Sequence, residues 1–256
     1  MHNQVDVAFV VDSTSSMGNF ISDAKRRMEL VLTTLSKAAD VDIRVVLIDY
    51  RDHPPQDNTY ASKCQTGKVP VTVPSFARAL ADLSVHGGGD AAESVLDGVD
   101  ELTTIEWRPH SRRIAFLVGD APGHGGYGKN YAGNDTWQSG CPCGRTPMEV
   151  SARLESCGVL LYGITVNMDP NTRDFFGSVA RLTGGRVFTQ GGVTEVESLL
   201  KAEFGLVDVD KQVLDVITKD PNWSIGSVMS ALDMLSGDVD GSVRRLIGRD
   251  LVSAPA

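Results

Sequence analysis

At 256 residues the chain can bury a full core, as one large domain or as one domain with a small appendage. Its 41% apolar and 22% charged residues are ordinary for a globular protein, and a net charge of −9 works against non-specific binding to nucleic acid or anionic membrane. No stretch approaches the roughly 20 apolar residues of a spanning helix, and no basic segment precedes the short N-terminal apolar run, so a cytoplasmic protein is expected.

Residues 5–11 (VDVAFVV) read as a strand buried on both faces. It ends at Asp12 and delivers Ser13, Thr14, Ser15 and Ser16 to a single loop. From Phe20 to Ala38 the apolar positions Phe20, Ala24, Met28, Val31, Leu32 and Leu35 recur at helical spacing. Residues 41–48 give a second strand, 68–73 a short third one, and 76–83 a helix. A glycine break at 87–89 precedes a helical stretch from Ala91 to Leu102, and residues 113–118 (RIAFLV) form a strand that ends at Gly119-Asp120. A long loop rich in Gly, Asn and Asp runs from Ala121 to Pro147, a length usually tied to function. Its aromatic residues Tyr127, Tyr131 and Trp137 suit a lid or partner-binding rim. Helix 148–156, strand 159–166, helix 172–182, strand 187–189 and helix 194–204 complete the alternation.

Strands alternating with helices predict an α/β fold, a doubly wound and mainly parallel sheet covered on both faces. Ligands of such sheets bind at the carboxyl ends of the strands, where Asp12 and Asp120 both fall. The pattern changes after Gly205. Residues 206–256 read as a small module of three short helices, broken at Asp220-Pro221 and Ser236-Gly237, so the expected division is 1–205 and 206–256.

Converging strand-end loops can build a magnesium site, since that ion takes six oxygen ligands and keeps several waters. The first loop offers Asp12, Thr14 and Ser16 in the pattern D-x-T-x-S, whose alternate spacing turns the side chains the same way. The loop HGGGDAAES offers Asp90 after three glycines, and LVGDAPGHG offers Asp120. Each has a plainer reading. Asp90 and Glu93 form D-x-x-E, close to a capping box for a helix from Ala91. Asp120 could shape a turn before Pro122, and Ser13 to Ser16 could cap the helix that follows. His53 and His124 lie in strand-end loops near the same edge.

These motifs resemble the metal-ion-dependent adhesion site of von Willebrand factor type A domains. VVDSTSSM, YRDH, GGGDAAES, GDAPGHG, GCPCGRTP and TGGRVF look like the branch found beside alpha-kinases and in hemicentin-type proteins, from about Val5 to Phe204. The resemblance implies a Rossmann-like fold, a magnesium or manganese ion, and a protein partner docked over it. It makes Thr14 and Ser16 direct ligands and lets Asp12 and Asp120 bind directly or through water. The family's third loop carries threonine where this chain has Gly-Gly-Gly-Asp, which makes Asp90 the departure. Asp12 and Asp120 alone would neutralise a divalent ion, whereas adding Asp90 leaves about one negative charge and disfavours a carboxylate from the partner.

Two rival readings exist. A magnesium-dependent hydrolase of the haloacid dehalogenase type needs a general-acid Asp two residues after the first, where this chain has Thr14. With no G-x-S-x-G elbow or Walker loop either, a non-enzyme is expected. The segment SIGSVMSALDMLSGDVDGSVRRLIGRDLV resembles a helix-turn-helix or winged-helix core, with residues 238–248 in the recognition position, and Arg244, Arg245 and Arg249 are the basic residues that suggest DNA contact. A ubiquitin-associated-like bundle is an alternative. Residues 206–256 hold five basic and eight acidic residues, a net charge of −3 that makes nucleic acid an unlikely partner. Of the four cysteines, Cys141 and Cys143 could be half of a zinc site. No second half is visible at zinc spacing, so Cys64, Cys141, Cys143 and Cys157 are expected to be reduced structural or loop thiols.

Overall fold

A computed structural model describes residues 4–39, 41–127, 135–189, 192–205 and 207–253, so Tyr131 lies outside the described residues. Its centre is a six-stranded sheet: β1 (Gln4–Asp12), β2 (Asp42–Tyr50), β3 (Ser62–Cys64), β4 (Arg112–Gly119), β5 (Val159–Thr165) and β6 (Val187–Thr189). The spatial order is β3-β2-β1-β4-β5-β6, parallel throughout except for the antiparallel edge strand β3. Chain order reverses beside β1, because β2 lies on one side of it and β4 on the other. In an open α/β sheet that reversal opens a crevice at the carboxyl ends of the strands.

Alternation along β1 divides its side chains between two cores. Val5, Val7, Phe9 and Val11 face one core with α1 (Gly18–Ala39), α2 (Val73–Asp82) and α6 (Val193–Gly205). Ala8 and Val10 face the other with α3 (Val95–Asp100), α4 (Pro147–Ser156) and α5 (Pro170–Ala180). The doubly wound sheet is as expected. On α1 the buried stripe runs through Ile21, Ala24, Met28, Leu32 and Leu35, and Phe20 is only partly buried.

Two elements differ from the sequence reading. Residues 68–73 do not form a strand: Val71 makes one isolated bridge to Val45. Pro70 has no N–H to extend the ladder, and Pro74 sits in the first turn of α2, so β3 comes instead from Ser62–Cys64. The helix expected from Ala91 starts at Val95 and passes into a 3-10 turn at Glu101–Thr104. Residues before it stay out of the helix because Glu93 N–H donates to Pro122 O (3.0 Å) and Ser94 N–H to Arg51 O (2.7 Å).

Beyond the sheet, α7 (Val207–Ile217), α8 (Ile225–Leu232) and α9 (Ser236–Gly248) close around Val213, Leu214, Ile217, Val228, Val239, Val243 and Leu246. Asp233, in the left-handed region, ends α8, and Ser236-Gly237 opens α9 rather than breaking the chain before it. This bundle is docked on the sheet domain. Arg113 donates to Gly248 O (2.9 Å), Arg244 pairs with Glu155 (2.5 Å), and Arg249 donates to His110 O (3.0 Å). No helix among the described residues is long and apolar enough to cross a membrane.

Candidate metal centre

The carboxyl end of β1 turns at Asp12, which is wholly buried. Asp12 Oδ1 accepts from the Thr14 N–H (2.8 Å) and the Thr14 hydroxyl (2.5 Å). Thr14 Oγ1 lies 3.3 Å from Ser16 Oγ, and Ser16 donates to Asp120 Oδ1 at 3.0 Å. Four predicted residues from two strand ends therefore form one hydrogen-bonded chain. The carbonyl of Asp120 is fixed by the Asn167 amide (2.6 Å), which aims the loop after β4 at the same point.

The electrostatics suit a cation. Asp12 Oδ2 and Glu93 Oε2 are buried with no hydrogen-bond partner. Burial and the nearby Asp120 push the Asp12 carboxyl up to about 7, against the opposing pull of the Thr14 hydroxyl. Burial, then Asp12, Asp52, Asp90 and Asp120, push Glu93 up to about 11. A pocket of buried carboxylates with unused oxygens and adjacent hydroxyls is a hard-oxygen donor set, and a divalent ion would relieve the like-charge repulsion. The residues fit magnesium or manganese.

Asp90 stands outside that chain. Its Oδ2 accepts from Thr136 N–H (2.6 Å) and the Gln56 amide (3.2 Å), and its Oδ1 from Ala92 N–H (3.3 Å). It neither caps a helix from Ala91 nor joins the Asp12–Asp120 hydrogen bonds; it ties the glycine loop to the long loop. Glu93 is the acidic residue beside the site that sequence reasoning missed. Its only sequence signal was the spacing from Asp90, which reads as a cap. The glycines admit it: a Cβ on Gly88, whose φ is +83°, would lie 3.3 Å from Thr14 Cβ and 3.4 Å from Glu93 Oε1.

Ser13 does not face the cluster. It donates to Asp49 (2.7 Å) and accepts from Arg51 Nε (3.0 Å). Arg51, 1% exposed, also donates to Thr59 (3.1 Å) and to Ser84 O (3.2 Å) and lies over the Tyr60 ring. One buried guanidinium thus latches the first loop, the loop after β2 and the approach to the glycine loop.

His53 and His124 do not reach the Asp12 carboxylate; both are buried, with ring centroids 5.5 Å apart. His124 sits 3.0 Å from Asp52 and 3.1 Å from Asp135. Burial opposes its protonation, yet these two carboxylates hold its pKa above the ordinary histidine value. Asp135 also accepts from Gly125 N–H (2.6 Å), so the far arm of the long loop is bound to its near arm. Tyr127 donates to Ala91 O (3.2 Å), which anchors that arm of the loop to its own domain, and Trp137 is half-buried.

Residues 6–132 match the family model of the von Willebrand factor A domain. The chain is 29% identical over 175 residues to alpha-protein kinase vwkA of Dictyostelium discoideum, covering 67% of this chain and 27% of the relative. It is 26% identical over 228 residues to an ariadne-like RING finger protein of Acanthamoeba polyphaga mimivirus, covering 83% of this chain and 21% of that one. The chain therefore spans about a quarter of the length of these curated relatives. Among solved structures, proximal thread matrix protein 1 of the mussel byssus superposes with a TM-score of 0.51 at 13% identity, over 80% of this chain and 46% of that one. That likeness bears on the fold alone.

Proposed function

We propose that this chain, whose residues 6–132 match the family model of the von Willebrand factor A domain, is a non-catalytic interaction module that docks a protein partner over a divalent cation. The observation that carries this reading is the buried, unpartnered Asp12 Oδ2 beside the Thr14–Ser16–Asp120 hydrogen bonds. Thr14 and Ser16 would offer hydroxyl ligands, Asp12 and Asp120 would bind directly or through water, and Glu93 would stand behind them. Magnesium or manganese would supply positive charge at the edge of the sheet and order the loops around it. Asp90 is assigned to bracing the rim rather than to ligation, because both its oxygens accept from loop amides.

Asp90 at the rim adds negative charge beside an ion that Asp12 and Asp120 already balance, which disfavours a carboxylate from the partner, so the partner reads the shaped loops. Hydrolysis is set aside because Thr14 cannot serve as a general acid near neutral pH. DNA binding through the last helices is set aside because Arg244, Arg245 and Arg249 are already paired with Glu155, Asp240 and Asp210. The activities of the two longer relatives are theirs, and a cytoplasmic location for this chain belongs to the proposal.

Affinity capture from the native organism tests this reading in three arms: magnesium, chelator, and Asp12→Ala. A partner retained with magnesium and lost in the other two arms supports it. A partner that survives both chelation and Asp12→Ala overturns it. Asp90→Thr then reads the mode. Weakened capture means that the braced rim is what the partner recognises, whereas tighter capture means that Asp90 was repelling a carboxylate brought to the metal.

A further inference from the structure

About the loop after β2, α3 and the turn before α4 lies a second group of side chains, with no ligand in common with the first. His53, Asp97, Cys141 and Cys143 each place one ligand atom within 4.8 Å of all the others. His53 Nε2 lies 2.9 Å from Asp97 Oδ2 and 3.7 Å from Cys141 Sγ, and Cys141 Sγ lies 3.2 Å from Asp97 Oδ2. Tetrahedral zinc, bound at about 2.0–2.3 Å, sets ligand-to-ligand edges of about 3.3–3.8 Å. The three spacings lie within about 0.4 Å of those edges, and Cys143, inside the 4.8 Å bound on the set, closes the fourth corner by a side-chain movement.

The local chain is built for the purpose. Gly144 N–H donates to Cys141 O (2.9 Å), and Gly144 takes φ +73°, so the sequence Cys-Pro-Cys-Gly closes on itself and turns both sulfurs to one side. Asp97 Oδ1 is held by Arg145 Nη1 at 2.6 Å, which leaves Oδ2 facing the histidine and the thiol. Three of the four groups are buried and Cys143 is exposed, so the cluster has a dry interior and an entry side.

We propose that His53, Asp97, Cys141 and Cys143 bind one structural zinc ion. Two thiolates and one carboxylate against Zn²⁺ leave one negative charge, which the Arg145 guanidinium compensates. Thiolate ligands select zinc over the magnesium suited to the oxygen-rich first site. Binding releases the two thiol protons to solvent, so affinity falls on acidification. The ion would pin the turn 141–144 to α3 and to the loop after β2, a cross-link over 88 residues of chain between His53 and Cys141. It thereby fixes the far end of the same long loop whose Thr136 contacts Asp90. All four cysteines stay reduced, and Cys64 and Cys157 would then be the two thiols outside a metal site.

The test is zinc content of the purified full chain after passage over a chelating resin, in wild type, Asp12→Ala, His53→Gln and Cys143→Ser. Because Cys143 is exposed, its serine variant leaves the core packing intact, and circular dichroism checks each fold. One zinc per chain is expected in wild type and in Asp12→Ala, with affinity reduced about tenfold or more in His53→Gln and Cys143→Ser. Cobalt in place of zinc should show thiolate-to-metal charge transfer that weakens in Cys143→Ser. Wild type without zinc, binding unchanged in both ligand variants, zinc lost with Asp12→Ala, or cobalt bound with no such band would each overturn the site. The outcomes in His53→Gln, in Cys143→Ser and with cobalt leave the magnesium reading untouched, because the two sites share no ligand, whereas zinc lost with Asp12→Ala would place the zinc at the first site instead.

Discussion

Asp12 and Glu93 show what the burial of a single carboxyl does. Each is cut off from solvent and faces like charges, and the folded chain holds their protons above the ordinary carboxylate range, Asp12 to about 7 and Glu93 to about 11. In the unfolded chain both ionise near their ordinary values, so the folded state binds more protons between those limits. Stability of the metal-free protein therefore falls as pH rises from about 4 through 7 and beyond. A bound cation favours the ionised forms and reverses the trend. Melting temperature in chelator should be lower at about pH 8 than at about pH 6, and the rise on adding magnesium should be larger at the higher pH. A magnesium increment that is constant, or larger at the lower pH, would contradict this account of the site's charge. The spacing of Asp12, Thr14 and Ser16 as candidate ligands was legible in the sequence because alternate residues of one loop carry it. Glu93 was not, because its place beside Thr14 depends on a bridge to Gly123 that no local pattern announces.

At the scale of elements, the alternation of strand and helix could be read directly, since periodicity is local and each strand is a near-continuous apolar run. Failures came where a tertiary contact overrode a propensity. Pro70 ended a would-be strand, and the Pro122 and Arg51 carbonyls held residues 93 and 94 out of the helix against a helical pattern. His53, Asp97 and Cys141 were equally invisible as a group, because the fold alone joins three distant segments. Arg51 is the clearest case of one residue organising several loops. It lies among Ser13, Asp49, Asp57, Thr59 and Ser84, with two carboxylates 3.9 Å away. Arg51→Met would leave Asp49 and Asp57 buried without that charge, at a cost of about 3–5 kcal/mol. Denaturant unfolding should show the loss as a lower midpoint, and magnesium affinity should fall with it because the first loop is released. A change within about 0.5 kcal/mol, the range of an ordinary surface substitution, would refute the latch.

The whole molecule is a sheet domain whose carboxyl edge is the candidate working face, with a helical bundle fixed elsewhere on its surface. The change of pattern after Gly205 marked the bundle in the sequence, but its orientation was not readable. Arg244 and Arg249, which suggested contact with phosphate, are spent on Glu155, Asp210 and the His110 carbonyl. Buried Asp210 gathers Arg245, Arg249 and Ser242 within the bundle, an arrangement that ties α7 to α9. The surface we assign to a partner is the rim formed by the first loop, the glycine loop and the described arms of the long loop. In the proposed function, a cation at Asp12 orders that rim. Calorimetric titration of magnesium into the chelator-treated full chain, wild type against Asp12→Ala, tests it most directly. One ion bound by wild type and none by a folded Asp12→Ala is the predicted result; equal affinity in the two proteins would contradict it.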